Sequence, residues 1–189
     1  AQIEDTSRIP EYISRAFHTA TAGRPGPVVL ALPEDMLTEY ADSKIINSYQ
    51  KIEAYPSPTD LVRFEKMLIS AKSPLMIVGG GGWDEASCQK LQSFAEINNL
   101  PVGCSFRCQD YFDNRHPNYV GHIGIGLSNS LKDRIQNSDL LVVVGARLGE
   151  ITTSGYSLLE IPKPKQQLIH VHAGAEELGS VYQADLPIN

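Results

Sequence analysis

Long hydrophobic runs are missing from this 189-residue sequence. No apolar stretch approaches the roughly 20 residues that span a bilayer. The opening residues 1–8 are polar and acidic, which excludes reading them as a secretory signal. Positive charge is also short: 16 Lys and Arg stand against 22 Asp and Glu, for a formal net charge of -6. That balance argues against a nucleic-acid binder, which needs a basic face for phosphates, and against docking on an anionic membrane. Cysteine is sparse, with only Cys88, Cys104 and Cys108. Three cysteines do not make a disulfide framework, and Cys104 and Cys108 have no second pair to complete a zinc site. They read as reduced thiols of a cytoplasmic protein. A Ser-centred nucleophile elbow, a Walker loop, a paired zinc motif and a helix-borne His-Glu-x-x-His are all lacking. No catalytic residue and no metal ligand set is therefore assigned. There is no initiator Met and no tail after residues 185–189, so the sequence reads as a piece of a larger enzyme.

What is present is the pattern of an α/β protein. Hydrophobic residues make up 42% of the chain, enough for a substantial core. Residues 9–21 read as an amphipathic helix, with Pro10 in its first turn, Ile9, Ile13, Phe17 and Ala20 on one stripe, and Gly23 as its stop. Residues 26–33 form a short apolar run between breakers and read as a buried strand. Residues 37–58 mix polar and apolar types without a period and end in Tyr55-Pro56-Ser57-Pro58, the signature of an interdomain linker. A new domain then runs over residues 59–189. Its first helix is expected to be capped by Thr59, with Leu61, Phe64, Leu68 and Ile69 on one face. Strands are expected at 75–78, 102–104, 119–121, 140–144 and 167–171, and a further one at the very end. Helices are expected at 84–98, 128–136 and 176–182, the first of these with Leu91, Phe94, Ala95 and Ile97 in the core. Apolar strands alternating with amphipathic helices imply a Rossmann-like, doubly wound parallel sheet with helices on both faces.

Candidate binding residues follow from that fold, because ligands of open parallel sheets gather at the carboxyl ends of the strands. Gly79, Gly80 and Gly81 form a turn between the first strand and the next helix, where backbone could approach a phosphate. Gly79 and Gly81 match the dinucleotide fingerprint, but its sixth position is Asp84, a helix cap that would repel a diphosphate. The alternative is a tight turn before a capped helix. Gly124, with Gly121 and Gly126, belongs to a second turn. Gly145 and Arg147 follow the fourth strand; the Arg147 guanidinium could fork onto a phosphate or pair with a loop carboxylate. His170 and His172 share a strand face, as a metal pair or as polar packing residues. Gly79, Gly80, Gly81, Gly124, Gly145, Arg147 and His172 together make up the candidate nucleotide crevice.

Several stretches in order resemble the thiamine-diphosphate-dependent enzymes of the acetolactate synthase and benzoylformate decarboxylase type. Residues 23–35, Gly-Arg-Pro-Gly-Pro-Val-Val-Leu-Ala-Leu-Pro-Glu-Asp, resemble the closing strand of that family's N-terminal pyrimidine-binding domain. Residues 73–81 resemble the first strand of its central domain, and 100–102 its second. Residues 116–124 and 138–148 resemble its later landmarks. The resemblance implies that residues 1–36 are the end of the pyrimidine-binding domain and 59–189 the central Rossmann-like domain. It implies a parent that uses thiamine diphosphate and Mg²⁺ on 2-oxo acids, for decarboxylation or carboligation, as a homodimer or homotetramer. The family's catalytic glutamate and its Gly-Asp-Gly motif have no counterpart here, so this piece is expected to be inactive alone. Some central domains of the family hold FAD or ADP. The FAD-binding members have Arg-Phe-Asp-Asp-Arg and Ile-Asp-x-Asp where this chain has Arg147-Leu148-Gly149-Glu150-Ile151 and His170-Val171-His172. The loss of that acid removes an acceptor for ribose hydroxyls, and leaves the glycine turns and Arg147 for FAD or ADP. A free-standing nucleotide-binding regulatory module is the alternative.

Overall fold

The computed structural model describes residues 1–42 and 47–189. They divide into two compact units, Ala1–Ala54 and Tyr55–Asn189. The division falls inside the span read as a linker, of which residues 43–46 lie outside the described residues.

In the first unit, helix α1 covers Ile9–Thr21 with Pro10 in its first turn. Its apolar stripe is not buried: Ile13 and Phe17 are exposed. The apolar run 26–33 is not the buried strand expected of it. It forms no strand beyond the bridge at Ala31, and Val29 is 78% exposed. Its only ladder partner among the described residues is the start of the chain, through a parallel bridge between Gln2 and Ala31. The Ile3 amide donates to the Ala31 carbonyl at 3.0 Å, and the Ala31 amide to the Ala1 carbonyl at 2.9 Å. Burial of such a run would need a second sheet neighbour and a covering layer.

The second unit is a single parallel sheet. Helix α2 (Pro58–Ser70) leads into β1 (Pro74–Val78), α3 (Glu85–Ile97), β2 (Val102–Ser105), β3 (Tyr119–Ile123), α4 (Asn129–Asn137), β4 (Leu140–Val144), β5 (Gln167–Val171) and β6 (Leu186–Ile188). The strand order is β3-β2-β1-β4-β5-β6, the doubly wound arrangement, whose order reverses between β1 and β4. Period-two alternation sorts the strand residues onto two cores. Leu75, Ile77, Leu141, Val143 and Leu168 pack with Leu131 and Ile135 of α4 and with the 148–159 turns. Met76, Val78, Leu140, Val142 and Ile169 pack on the other face with Leu91 and Ala95 of α3 and with Phe64 and Leu68 of α2. Both faces of the central strands are thus dry, which is why they read as unbroken apolar runs.

Three local expectations are corrected. The cap of α2 is Ser57, whose hydroxyl accepts from the Asp60 amide at 3.1 Å; Pro58 is then free to occupy the first helical turn. Ile97 is 84% exposed, because the α3 stripe that faces the sheet ends at Ala95. The expected helix 176–182 is one short 3-10 turn, Ala175–Glu177, after which the chain packs Tyr182 into the core without helical continuation. Gly121, read both as the end of a strand and as part of the turn after it, lies inside β3. Among the described residues no helix is long and apolar enough to cross a membrane.

One carboxylate ties the starts of β1 and β4. Asp139 accepts the Lys72 amide at 2.6 Å and the Ser73 amide at 2.9 Å. Burial alone would raise its pKa, but these amides outweigh it and hold the carboxyl below its usual value of 3.8. The folded chain therefore binds this proton more weakly than the unfolded chain. The stabilisation is present above the ordinary carboxylate pKa and is lost as pH falls through the lower folded value. The urea unfolding midpoint should accordingly fall between about pH 5 and about pH 2, and Asp139→Asn should flatten that dependence. An unchanged acid profile in the variant would show that other carboxylates control it.

Candidate functional site

The seven candidate residues lie at the carboxyl ends of the strands, and the structure brings most of them together at the β1–β4 reversal. The turns after β1 and β4 close on one another. Gly80 (φ 75°) and Gly145 (φ 72°) both adopt left-handed backbone. A Cβ built on Gly80 would strike the carbonyl oxygen of Gly145, and one built on Gly145 would strike that of Gly79. Glycine is required at both positions by conformation and by the neighbouring backbone. The Cβ place of Gly79 is filled by Ser105 of β2. Gly81 differs, with nothing within 4 Å of its Cβ position.

The carbonyls of this turn are already bonded. The Trp83 indole Nε1 donates to the Gly79 carbonyl at 2.9 Å. The Tyr111 hydroxyl, from the loop after β2, donates to the Gly80 carbonyl at 2.6 Å. The two rings stack, with centroids 5.6 Å apart and planes 27° from parallel. Burial, with Cys108 nearby, pushes the Tyr111 pKa up to about 12, so the phenol keeps its proton and remains a donor. Beside them, Asp84 caps α3 by accepting the Ser87 amide at 2.7 Å. Its hydrogen bonds to Ser87 hold its pKa below the usual value, so the carboxylate stands charged at the helix N-terminus. Neither Trp83 nor Tyr111 belongs to the crevice as read from sequence. A large aromatic directly after a glycine run was the available signal for Trp83. Tyr111 sits in an irregular loop, and nothing in its local sequence marks it.

Arg147 and His172 also have partners. The Arg147 Nε donates to Glu177 at 2.8 Å, and Glu177 itself is only 10% exposed. Of the two roles open to Arg147, the ion pair is the one formed. His172 is buried, with Nδ1 3.0 Å from the Gly174 amide. The same nitrogen lies 3.0 Å from the Gly174 carbonyl, so Gly174 engages Nδ1 in either tautomer. His170 Nε2 lies 3.0 Å from the Ala146 carbonyl and donates to it. Burial lowers the His170 pKa and keeps the ring neutral. The two imidazoles are 5.9 Å apart and tilted, each held by backbone. Among the described residues no group of three or more His, Cys, Asp and Glu is set to hold a metal ion.

Gly124 stands apart from this cluster, after β3. The place of its Cβ is 3.0 Å from Phe106 Cβ. It lines a shallow depression of about 580 Å³ formed by its own turn, the start of α4 and the 150–155 turn. None of the other six candidates lines that depression.

The family model described as "Thiamine pyrophosphate enzyme, central domain" matches residues 62–189. The acetolactate synthase large subunit of Corynebacterium glutamicum is 28% identical over 191 residues, covering 98% of this chain and 30% of that protein. The acetolactate synthase isozyme 3 large subunit of Escherichia coli K12 is 29% identical over 197 residues, covering 98% of this chain and 33% of that protein. Among solved structures, benzoylformate decarboxylase from Polynucleobacter necessarius superposes with a TM-score of 0.73 at 24% identity. That match covers 100% of this chain and 35% of the other, and is a likeness of fold. The chain thus spans about a third of the length of the curated relatives it matches.

Proposed function

The chain belongs to the thiamine pyrophosphate enzyme family, as its central domain, and from that premise we propose that it is the scaffold section of a longer enzyme acting on 2-oxo acids. Residues 59–189 are the central domain, residues 1–36 the end of a pyrimidine-binding domain, and 37–58 the connection between them. The reaction is decarboxylation or carboligation next to the 2-oxo carbonyl. Thiamine diphosphate, with Mg²⁺ anchoring it, supplies the carbanion stabilisation when bound. It is held by parts of the enzyme outside these residues. None of the candidate residues is assigned to it, and no catalytic step is assigned to this section. Its contribution is a stiff sheet that carries the flanking domains at fixed positions, in a homodimeric or homotetrameric cytoplasmic enzyme.

The observation that carries this reading is the coincidence of the family match, residues 62–189, with the whole six-stranded sheet in its β3-β2-β1-β4-β5-β6 order. The test compares the longer polypeptide with this chain. The former should consume a 2-oxo acid only when thiamine diphosphate and Mg²⁺ are supplied. The 189-residue chain should show no turnover under the same conditions. Turnover by the chain alone, or activity of the longer polypeptide that ignores thiamine diphosphate, would overturn the proposal.

A further inference from the structure

We infer that the nucleotide crevice of this central domain is closed by the chain's own residues, so that the sheet receives neither FAD nor ADP at its β1–β4 reversal. The inference rests on the central-domain reading, since that reading makes FAD and ADP the ligands to consider. It goes further by assigning the residues that fill the place.

A dinucleotide at the reversal of an open parallel sheet needs three things from the protein. It needs glycine backbone left bare for close approach of the diphosphate. It needs free amides at a helix N-terminus to receive the charge, and an acceptor for the ribose at the end of a neighbouring strand. Most of this is otherwise engaged here, and in the β1 turn only Gly81 and Gly82 keep an open Cβ position. The space above Gly80 and Gly145 is occupied by the opposing turn, and that above Gly79 by Ser105. The α3 N-terminus carries the Asp84 carboxylate, whose bond to the Ser87 amide takes the place of an external anion. A diphosphate there would meet like charge. At the end of β5 stands His172, buried and bonded to Gly174. The one guanidinium in the set, Arg147, is paired with Glu177. Over the β1 turn lies a stacked aromatic pair from the protein itself, Trp83 on Tyr111, pinned by hydrogen bonds to Gly79 and Gly80. Stacking of this kind is what a planar nucleotide ring would otherwise supply. Tyr111 also ties the loop after β2 to the turn after β1, so the pair acts as a latch across the carboxyl edge of the sheet.

Trp83 is the only tryptophan in the sequence, so its fluorescence reports on the latch alone. The chain is titrated with FAD while Trp83 emission is followed, and with ADP by calorimetry. No saturable quenching and no saturable heat are expected up to about 1 mM ligand. Tyr111→Ala should move Trp83 emission to longer wavelength, because the indole loses its stacking partner. Tyr111→Phe keeps the ring and loses only the bond to Gly80; it should leave the emission in place and lower the urea midpoint. Saturable quenching by FAD, saturable heat with ADP, or emission in folded Tyr111→Ala identical to the parent would each overturn the inference. Failure of the central-domain reading is a separate result, seen as absent thiamine-diphosphate dependence in the longer polypeptide, a measurement in which Trp83 plays no part.

Discussion

Gly80→Ala should destabilise the central domain by roughly 2–5 kcal/mol, combining the cost of a side chain in left-handed backbone with that of overpacking. Gly80 has φ 75°, and its missing Cβ points at the carbonyl of Gly145. Backbone cannot swing aside as the end of a lysine could, so either β1 or β4 must shift. These are the two central strands, hydrogen-bonded along their length from Pro74–Leu140 to Val78–Val144. The control is Gly81→Ala, one residue on, where a Cβ meets nothing within 4 Å. It should change stability by no more than about 0.5 kcal/mol. Urea unfolding followed by Trp83 fluorescence reads both. Equal effects at the two positions would show that the close approach of the turns does not limit stability.

The contrast between Gly80 and Gly81 bears on what a glycine run means. Sequence alone presents residues 79–82 as one feature, a bare turn ready for phosphate. In space they divide. Gly79 and Gly80 are bare because Ser105 and the β4 turn need the room, whereas Gly81 and Gly82 are bare and open. A run of glycines therefore has more than one physical cause, and the cause is set by residues distant in sequence, Ser105 for Gly79 and Gly145 for Gly80. No local pattern carries that information.

The same distinction explains which parts of the fold were legible. The strands of the sheet announce themselves because both their faces are buried, and unbroken apolar runs such as 140–144 admit few other readings. Asp84 was readable as a helix cap for a local reason: a cap bonds an amide three residues on. Two of the misreadings share a different trait. Residues 26–33 are as apolar as any strand here, yet their burial depends on neighbours that their own sequence does not specify. Residues 176–182 have helical composition, but the chain must instead bring Tyr182 into the core and set Glu177 against Arg147. In the crevice, the partners of the candidate residues were invisible in the sequence. Arg147 sits where a phosphate partner would, and only the fold shows that Glu177 reaches it first. Trp83 and Tyr111 meet from two different loops, so their stacking is a tertiary fact with no sequence period behind it.

Leu141→Ala should cost roughly 2–5 kcal/mol, the range for emptying a fully buried leucine site. Leu141 is 0% exposed and is the second residue of β4, in register with Leu75 of β1 and Leu168 of β5. All three belong to one core, beneath Leu131 and Ile135 of α4 and the irregular 148–159 segment. That segment decides where in the range the result falls. A regular helix above Leu141 could not follow the lost volume, and the cavity would stay open at full cost. Turns without helical hydrogen bonding can settle inward, which would bring the value toward the lower end. Ile97→Ala is the matching control. It removes a larger apolar group than many core changes do, but from a site 84% exposed, and should shift stability by no more than about 0.5 kcal/mol. Urea denaturation of both variants separates the two ideas at stake. If Ile97→Ala costs as much as Leu141→Ala, then the exposed end of α3 is covered in solution. If Leu141→Ala is nearly silent, the sheet is not the rigid element that a scaffold between catalytic domains requires.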